Sequence, residues 1–565
     1  VRIPVSKRFY VELIRPSHYD DDGYVIQWMK AWIPSNSLAC VYGLARDAAR
    51  RRVLGDDVEI VVTAWDESNV TIPVRRIVRR IRAGHGIVCM VGVQSNQYPR
   101  ALDLSRRFRA AGVQVAIGGF HVSGCVAMLP ETPPELREAM DLGITLFAGE
   151  AEGRFDEFLR AAFERRLAPL YDSLAERPEL PGQVTPYLPP EVTRRYTQRP
   201  GTFDAGRGCP FQCSFCTIIN VQGRQSRYRE AEDVERLMRE NLRHGIRHYF
   251  ITDDNFARNR NWEAILDRIA TLRQESKARF SITIQVDTQS HKIPGFVEKA
   301  RLAGVSRVFI GLEAIRSDNL QAAGKRQNKT SDYRKMLLTW KRNKVTTYCG
   351  YILGFPDDTP EQILEDIATI QHELPLDVLE LFFLTPLPGS ADHKALYERG
   401  TPIEPDLNAY DLEHVCTEHP RMSREEWEDV YERAWDTYYT LDHLETLMRR
   451  AAAVGRNPKR IMEIALMFHA CYKFERVHPL QGGFFRRKRR RDRRPGLPVE
   501  SPLVFFPRRV IELLTTYGRF LAYAARLERL ARRVKREEAA RERPYADSAL
   551  APSMTRPAVR SGARR

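Results

Sequence analysis

Three cysteines, Cys209, Cys213 and Cys216, lie within eight residues in the stretch Gly206-Arg207-Gly208-Cys209-Pro210-Phe211-Gln212-Cys213-Ser214-Phe215-Cys216. Thiolates are soft ligands that suit iron–sulfur clusters or zinc, and one short loop can aim three of them at a single centre. A structural zinc site needs a fourth Cys or His close by. The next candidates, His244 and His248, come about thirty residues later. Three thiolates without a near fourth suit instead a 4Fe–4S cluster with one iron open to a further ligand. A zinc loop or a cluster serving electron transfer alone are the competing readings, and three unrelated buried thiols would not need this spacing.

With Phe215 between the last two cysteines, the Cys-x3-Cys-x-aromatic-Cys pattern resembles the signature of the radical S-adenosylmethionine (SAM) enzymes. The resemblance implies that Cys209, Cys213 and Cys216 are the metal ligands and catalytic residues, and that SAM chelates the open iron. It implies that one electron cleaves the sulfonium to methionine and a 5′-deoxyadenosyl radical, with an electron donor such as flavodoxin or ferredoxin as partner. Phe215 is expected beside the adenine.

Such a loop has to be held at the end of a strand. Strands fit at 202–205, 247–252, 280–286, 307–310, 346–352 and 378–384, with helical stretches between them; Val234, Leu237, Met238 and Leu242 share one face of the first. Six strand–helix units make a partial (β/α)6 barrel, whose chemistry sits at the carboxyl ends of its strands. There the sequence places Asp253, Asp254 and Asn255, then Gln285 and Asp287, then Glu313, then Gly354 and Phe355. By the same resemblance these residues bind SAM.

Residues 1–170 show a second alternation, with strands fitting at 9–14, 58–63, 87–93, 113–117 and 144–147. This reads as a doubly wound, Rossmann-like sheet, which binds ligands beyond the carboxyl ends of its strands. Those ends carry Gln94 and Ser95, then Gly118-Gly119-Phe120-His121, then Gly149-Glu150-Ala151-Glu152. Gly-Gly-x-His followed by Gly-Glu-x-Glu resembles the cobalamin-binding domain of the cobalamin-dependent radical enzymes. The resemblance implies that Gln94, Ser95, Gly118, Gly119, Gly149 and Glu150 hold cobalamin, the glycines because the ligand must approach the backbone closely. The Asp-x-His-x-x-Gly motif that ligates cobalt from below is absent, so no histidine is expected under the metal.

The fold class expected is thus α/β in five parts. A cobalamin-binding-type domain (1–170) is followed by a proline-rich linker (171–200), the radical SAM barrel (201–395), a mainly helical domain (396–536) and a disordered basic tail (537–565). Trp427, Tyr431, Trp435, Tyr438 and Tyr439 recur at helical spacing and read as core. The 565 residues carry a net charge of +16 with 43% hydrophobic and 29% charged residues, and are too long for one core. Nine cysteines, no long apolar run and no signal-peptide pattern indicate a reducing, cytoplasmic setting. The Arg486–Arg494 segment offers contact with an anionic surface.

These features point to a cobalamin-dependent radical SAM methyltransferase acting on an unactivated carbon of a small-molecule, lipid or peptide substrate. Two other enzyme readings remain open. One is a cobalamin-free radical rearrangement or cyclisation; the other is tRNA methylthiolation, in which Cys40, Cys89 and Cys125 would hold a second cluster. A cobalamin- or redox-responsive nucleic-acid binder is the non-enzymatic reading.

Overall fold

The computed structural model of the chain describes residues 7–551. The first sheet uses β1 (Lys7–Arg15), β3 (Val58–Asp66), β4 (His85–Met90), β5 (Gln114–Gly118), β6 (Thr145–Gly149) and β7 (Leu170–Ser173); β2 (Gln27–Ala31) pairs elsewhere. The six strands are parallel in the order β3-β1-β4-β5-β6-β7. Alternate residues face opposite sides, as a strand's period of two requires. Ile87 and Cys89 join the core under the helices Asn36–Arg51 and Phe155–Phe163. Val88 and Met90 join the one under Val74–Arg82 and Tyr98–Arg109.

The second sheet runs in strict chain order: β8 (Gly201–Phe203), β11 (His248–Ile251), β12 (Ser281–Val286), β13 (Val305–Glu313), β14 (Thr346–Leu353) and β15 (Val378–Phe383), all parallel. Strands β8 and β15 are its two edges, so this is an open, partial barrel. Between β8 and β11 a two-residue antiparallel pair, β9 (Gly206–Arg207) and β10 (Arg227–Tyr228), brackets the cysteine loop. The aromatic helix Arg424–Tyr438 starts on a Ser423–Glu426 capping box. Trp427, Tyr431, Trp435 and Tyr438 are buried in the barrel core, with the Tyr431 ring stacked on Phe383 at 4.3 Å. They are packing, as their spacing suggested.

Three expectations need correction. The stretch 171–200 is not a bare linker: β7 supplies the sixth strand of the first sheet, and Leu180, Leu188, Val192 and Tyr196 are buried. Prolines hid this because they break any period while leaving isolated apolar anchors. The Arg486–Arg494 segment, expected to face an anionic surface, is partly engaged within the chain. It begins within β16 (Gly483–Arg487), which pairs antiparallel with β2. Arg486 bonds Asp20 at 2.7 Å, Lys488 bonds Asp22 at 3.1 Å, and Arg494 pairs with Asp406. Finally, the helix Pro502–Ala539 runs into the segment read as disordered, and Asp547 pairs with Arg450 at 2.7 Å. The rest of that expected tail, residues 552–565, lies outside the described residues.

Candidate active site at the seam of the two sheets

The cysteine loop leaves the carboxyl end of β8 and is tied down by backbone bonds at both ends. Cys209 N–H donates to Gly223 at 3.2 Å, and Ser214 N–H donates to Ala323 at 3.0 Å. Gly208 has φ 87°, and a Cβ there would come within 2.4 Å of the Gln225 carbonyl, so only glycine fits. All three thiols are half-buried. Burial pushes Cys209 up to about 11 and Cys216 up to about 12, with Asp254 adding to both. Burial raises Cys213 as well, against the pull of Lys325. As neutral thiols they are poor ligands, so a metal bound here would have to displace their protons.

The strand-end residues divide into two kinds. Asp254 adds negative charge at the cysteines: burial lifts its carboxyl to about 7, with hydrogen bonds from the Gly208 N–H and from its own backbone N–H opposing the shift. Glu313 pairs with Lys325, which lies 5.8 Å over the Phe215 ring. Glu313 has φ 65°, a left-handed backbone that side chains rarely adopt, and the pair occupies the place a Cβ on Gly311 would take. These residues border the space beside the loop.

The others are tied into the scaffold. Asp253 accepts from Ala205 N–H at 2.7 Å and from Asn259 at 2.9 Å, locking β8 to β11. Asn255 donates to Asp287 at 2.9 Å, and Arg258 clamps Asp287 with two bonds of 2.7 and 2.9 Å. Gln285 donates to the Asp253 carbonyl at 3.2 Å. Gly354 and Phe355 donate their N–H groups to Asp358. A Cβ on Gly354 would come within 1.9 Å of the Trp427 ring, so that glycine serves packing.

A second cavity follows the inner face of the barrel past Phe250, Thr283, Gln285, Arg307 and Phe309 to Glu380. Burial raises the Glu380 carboxyl to about 8, and its Oε2 has no hydrogen-bond partner among the described residues.

Beyond the strand ends of the first sheet lies a cavity bordered by Gly118, Gly119, Ser123, Gly149 and Glu150, with apolar walls from Leu44 and Phe158. Its other wall comes from the barrel side, from Arg207, Val221 and Gln222 that flank the cysteine loop. One cavity thus touches both sheets. An apolar, glycine-floored hollow of this kind fits part of a large ring-bearing cofactor. Gln94 and Ser95 do not line it: Gln94 is exposed, and Ser95 is buried against His121 Nδ1 at 3.1 Å. His121 faces away, towards Cys125 and Glu135. Cys40 and Cys89 border the cavity, while Cys125 sits with His121.

The glycines have a different reason from the one expected. A Cβ on Gly119 would meet the Val93 backbone at 2.1 Å, and one on Gly149 the Ser173 backbone at 2.7 Å. Close approach occurs, but of chain to chain.

The sequence reading missed the group that joins the halves. Buried Arg207 reaches Glu150 at 2.6 Å, Glu152 at 2.7 Å and Asp204 at 3.0 Å. Arg227 also pairs with Glu150, and Arg229 with Asp204 at 3.1 Å. Against the pull of burial, Arg207 holds Glu152 below its ordinary value. The Gly-Glu-x-Glu motif is therefore half of a buried ion network. Arg207, two residues before Cys209, was a visible signal whose partner was not.

The family model for the radical SAM superfamily matches residues 204–370. The chain is similar to the bacteriochlorophyllide d C-12(1)-methyltransferase of Chlorobaculum tepidum, 25% identical over 61% of this chain and 72% of that one. It is also similar to the hopanoid C-2 methylase of Rhodopseudomonas palustris, 26% identical over 46% of this chain and 49% of that one. Among solved structures it shares the fold of the radical SAM methyltransferase TsrM from Kitasatospora setae, determined with cobalamin and a 4Fe–4S cluster bound. That match has a TM-score of 0.55 at 15% identity and covers 81% of this chain and 98% of that one. The cobalamin-dependent enzyme OxsB matches with a TM-score of 0.53 at 11% identity, over 94% of this chain and 81% of that one.

Proposed function

We infer the activity from one premise: this chain belongs to the radical SAM superfamily, in the branch whose barrel carries an N-terminal cobalamin-binding-type domain. It is an enzyme, and the reading best supported is a methyltransferase that uses a 4Fe–4S cluster, SAM and cobalamin to methylate an unactivated carbon. The observation that carries this reading is the shared cavity, which sets the strand ends of the first sheet against the segment flanking the cysteine loop. The named methyltransferases among its relatives support the reaction type.

Bound here, the cluster and cobalamin supply the electron and the methyl group that no side chain can. The chain's own residues position and insulate. Cys209, Cys213 and Cys216 would hold the cluster on a loop tied at both ends. Asp254, an acid beside the thiols, would take the amino group of SAM. Lys325 balances the negative charge of thiolates and of Glu313. Arg207 fixes the separation of the two sheets, so the methyl donor and the carbon to be methylated keep one geometry. The buried Arg207, Glu152 and Asp204 close one side of the seam to water.

The test is anaerobic incubation of the reconstituted chain with reductant, SAM and cobalamin, followed by mass spectrometry of co-expressed metabolites. A product heavier by one methyl group, with deoxyadenosine and S-adenosylhomocysteine, is expected. Deoxyadenosine formed without methyl transfer in any condition would instead favour a cobalamin-free radical rearrangement.

A further inference from the structure

The 38-residue helix Pro502–Ala539 is docked along only part of its length. Leu527, Ala531 and Val534 are buried in the core that holds the helices Leu441–Ala453 and Pro458–Ala470. In its first half only Phe505 is buried. Leu503, Phe506, Val510, Ile511, Leu514 and Leu521 are 54–86% exposed. Spacings of three, four and seven residues put most of them on one face, a stripe about 27 Å long at 1.5 Å per residue. Contiguous exposed apolar surface of this kind marks an interaction site. Arg508, Arg509, Glu512 and Arg519 interrupt the segment, and no helix among the described residues is long and apolar enough to cross a membrane.

The ground beside the stripe is basic. A hollow lined by Arg107, Lys488, Arg489, Arg490 and Arg491 has Phe505 and Phe506 in its wall. It continues over Ile72, Arg107 and Arg491 to Arg75, Arg76 and Arg79. The arginine run is split by its surroundings. Arg486, Arg493 and Arg494 face acids of this chain. Arg75, Arg79, Arg107, Arg489 and Arg491 are exposed, and none has an ion-pair partner among the described residues.

We propose that this face docks on an anionic lipid bilayer, with the helix 502–521 lying in the interface, its apolar stripe at the acyl boundary and the unpaired arginines on the headgroups. The pairing of an apolar stripe with a cationic flank is what an in-plane interfacial helix requires. Charge selects the bilayer over other occupants. A second copy seated on the same face by a two-fold axis would oppose arginines to arginines. A nucleic acid would use the arginines and leave the leucines in water.

The experiment is co-sedimentation of the full, anaerobically reconstituted chain with vesicles of phosphatidylcholine alone or mixed with phosphatidylglycerol. Binding to the mixed vesicles, weakened by salt and weak to phosphatidylcholine alone, is expected. The combined variant Arg75→Gln, Arg489→Gln and Arg491→Gln should lower partitioning on the order of a hundredfold, at about fivefold per charge. The variant Leu503→Ser, Phe506→Ser and Leu514→Ser should lower it at least as far, with deoxyadenosine formation unchanged in both. Three results would overturn the proposal. They are equal binding by wild type and both variants, a concentration-dependent dimer that the serine variant abolishes without vesicle binding, and arginine-dependent retention of poly(U) RNA without vesicle binding.

Discussion

Replacing Arg207 by Met removes the guanidinium shared by Glu150, Glu152 and Asp204 and leaves the volume filled. The consequences for the three acids differ. Glu150 keeps Arg227 and Asp204 keeps Arg229, so Glu152 is the carboxylate left without a cation. Stripping one partner from a buried ion pair costs about 3–5 kcal/mol. With two of three acids still served, the loss should fall near the lower end, about 3 kcal/mol. The second change Glu152→Gln should restore most of it, because an amide needs no counter-charge. The pH dependence has a definite sign. Arg207 holds Glu152 below its ordinary value, so its contribution is complete above the unfolded carboxylate range and is lost as pH falls through the folded pKa. In Arg207→Met burial is left to raise the unpaired Glu152 carboxyl, so the variant regains stability on protonation and the gap should be widest at high pH and narrow steadily as pH falls from neutrality through the carboxylate range. Anaerobic urea unfolding followed by tryptophan fluorescence measures both. A loss under about 1 kcal/mol, or a double variant no more stable than the single, would refute the assignment of the seam to this network.

Other expectations follow from the same geometry. Anaerobic iron and sulfide analysis should find about four irons per chain, and Cys209→Ala, Cys213→Ala and Cys216→Ala together should abolish both the cluster and deoxyadenosine formation; zinc in its place, or undiminished cleavage, would contradict the site. Gly119→Val should disrupt folding of the first sheet rather than merely weaken cobalamin binding, since its Cβ would strike the Val93 backbone; a well-folded variant by circular dichroism and thermal melting would show otherwise. Glu380→Gln should stabilise at neutral pH. Burial raises that carboxyl to about 8, so wild type loses stability as pH rises from about 4.5 towards 8, by about 3 kcal/mol at pH 7. Melting temperatures of the two proteins should coincide near pH 4 and separate upward, and parallel curves would count against it.

What the amino-acid order determined was local. The cysteine constellation was legible because its three thiols lie within eight residues, and a loop that short can converge on one centre whatever surrounds it. Both sheets were legible because strand and helix periods are written in consecutive residues, and the six barrel strands then paired in chain order. The tertiary structure decided which charges meet. Glu150 borders the cavity and also bonds Arg207, 57 positions away; Arg486, in the run expected to face an anionic surface, bonds Asp20, 466 positions away. The same holds for glycine. A missing Cβ shows that something comes close, and only the fold shows that at Gly119 it is the chain itself. Periodicity is a property of neighbours in sequence, whereas desolvated ion pairs and close backbone approach depend on neighbours in space.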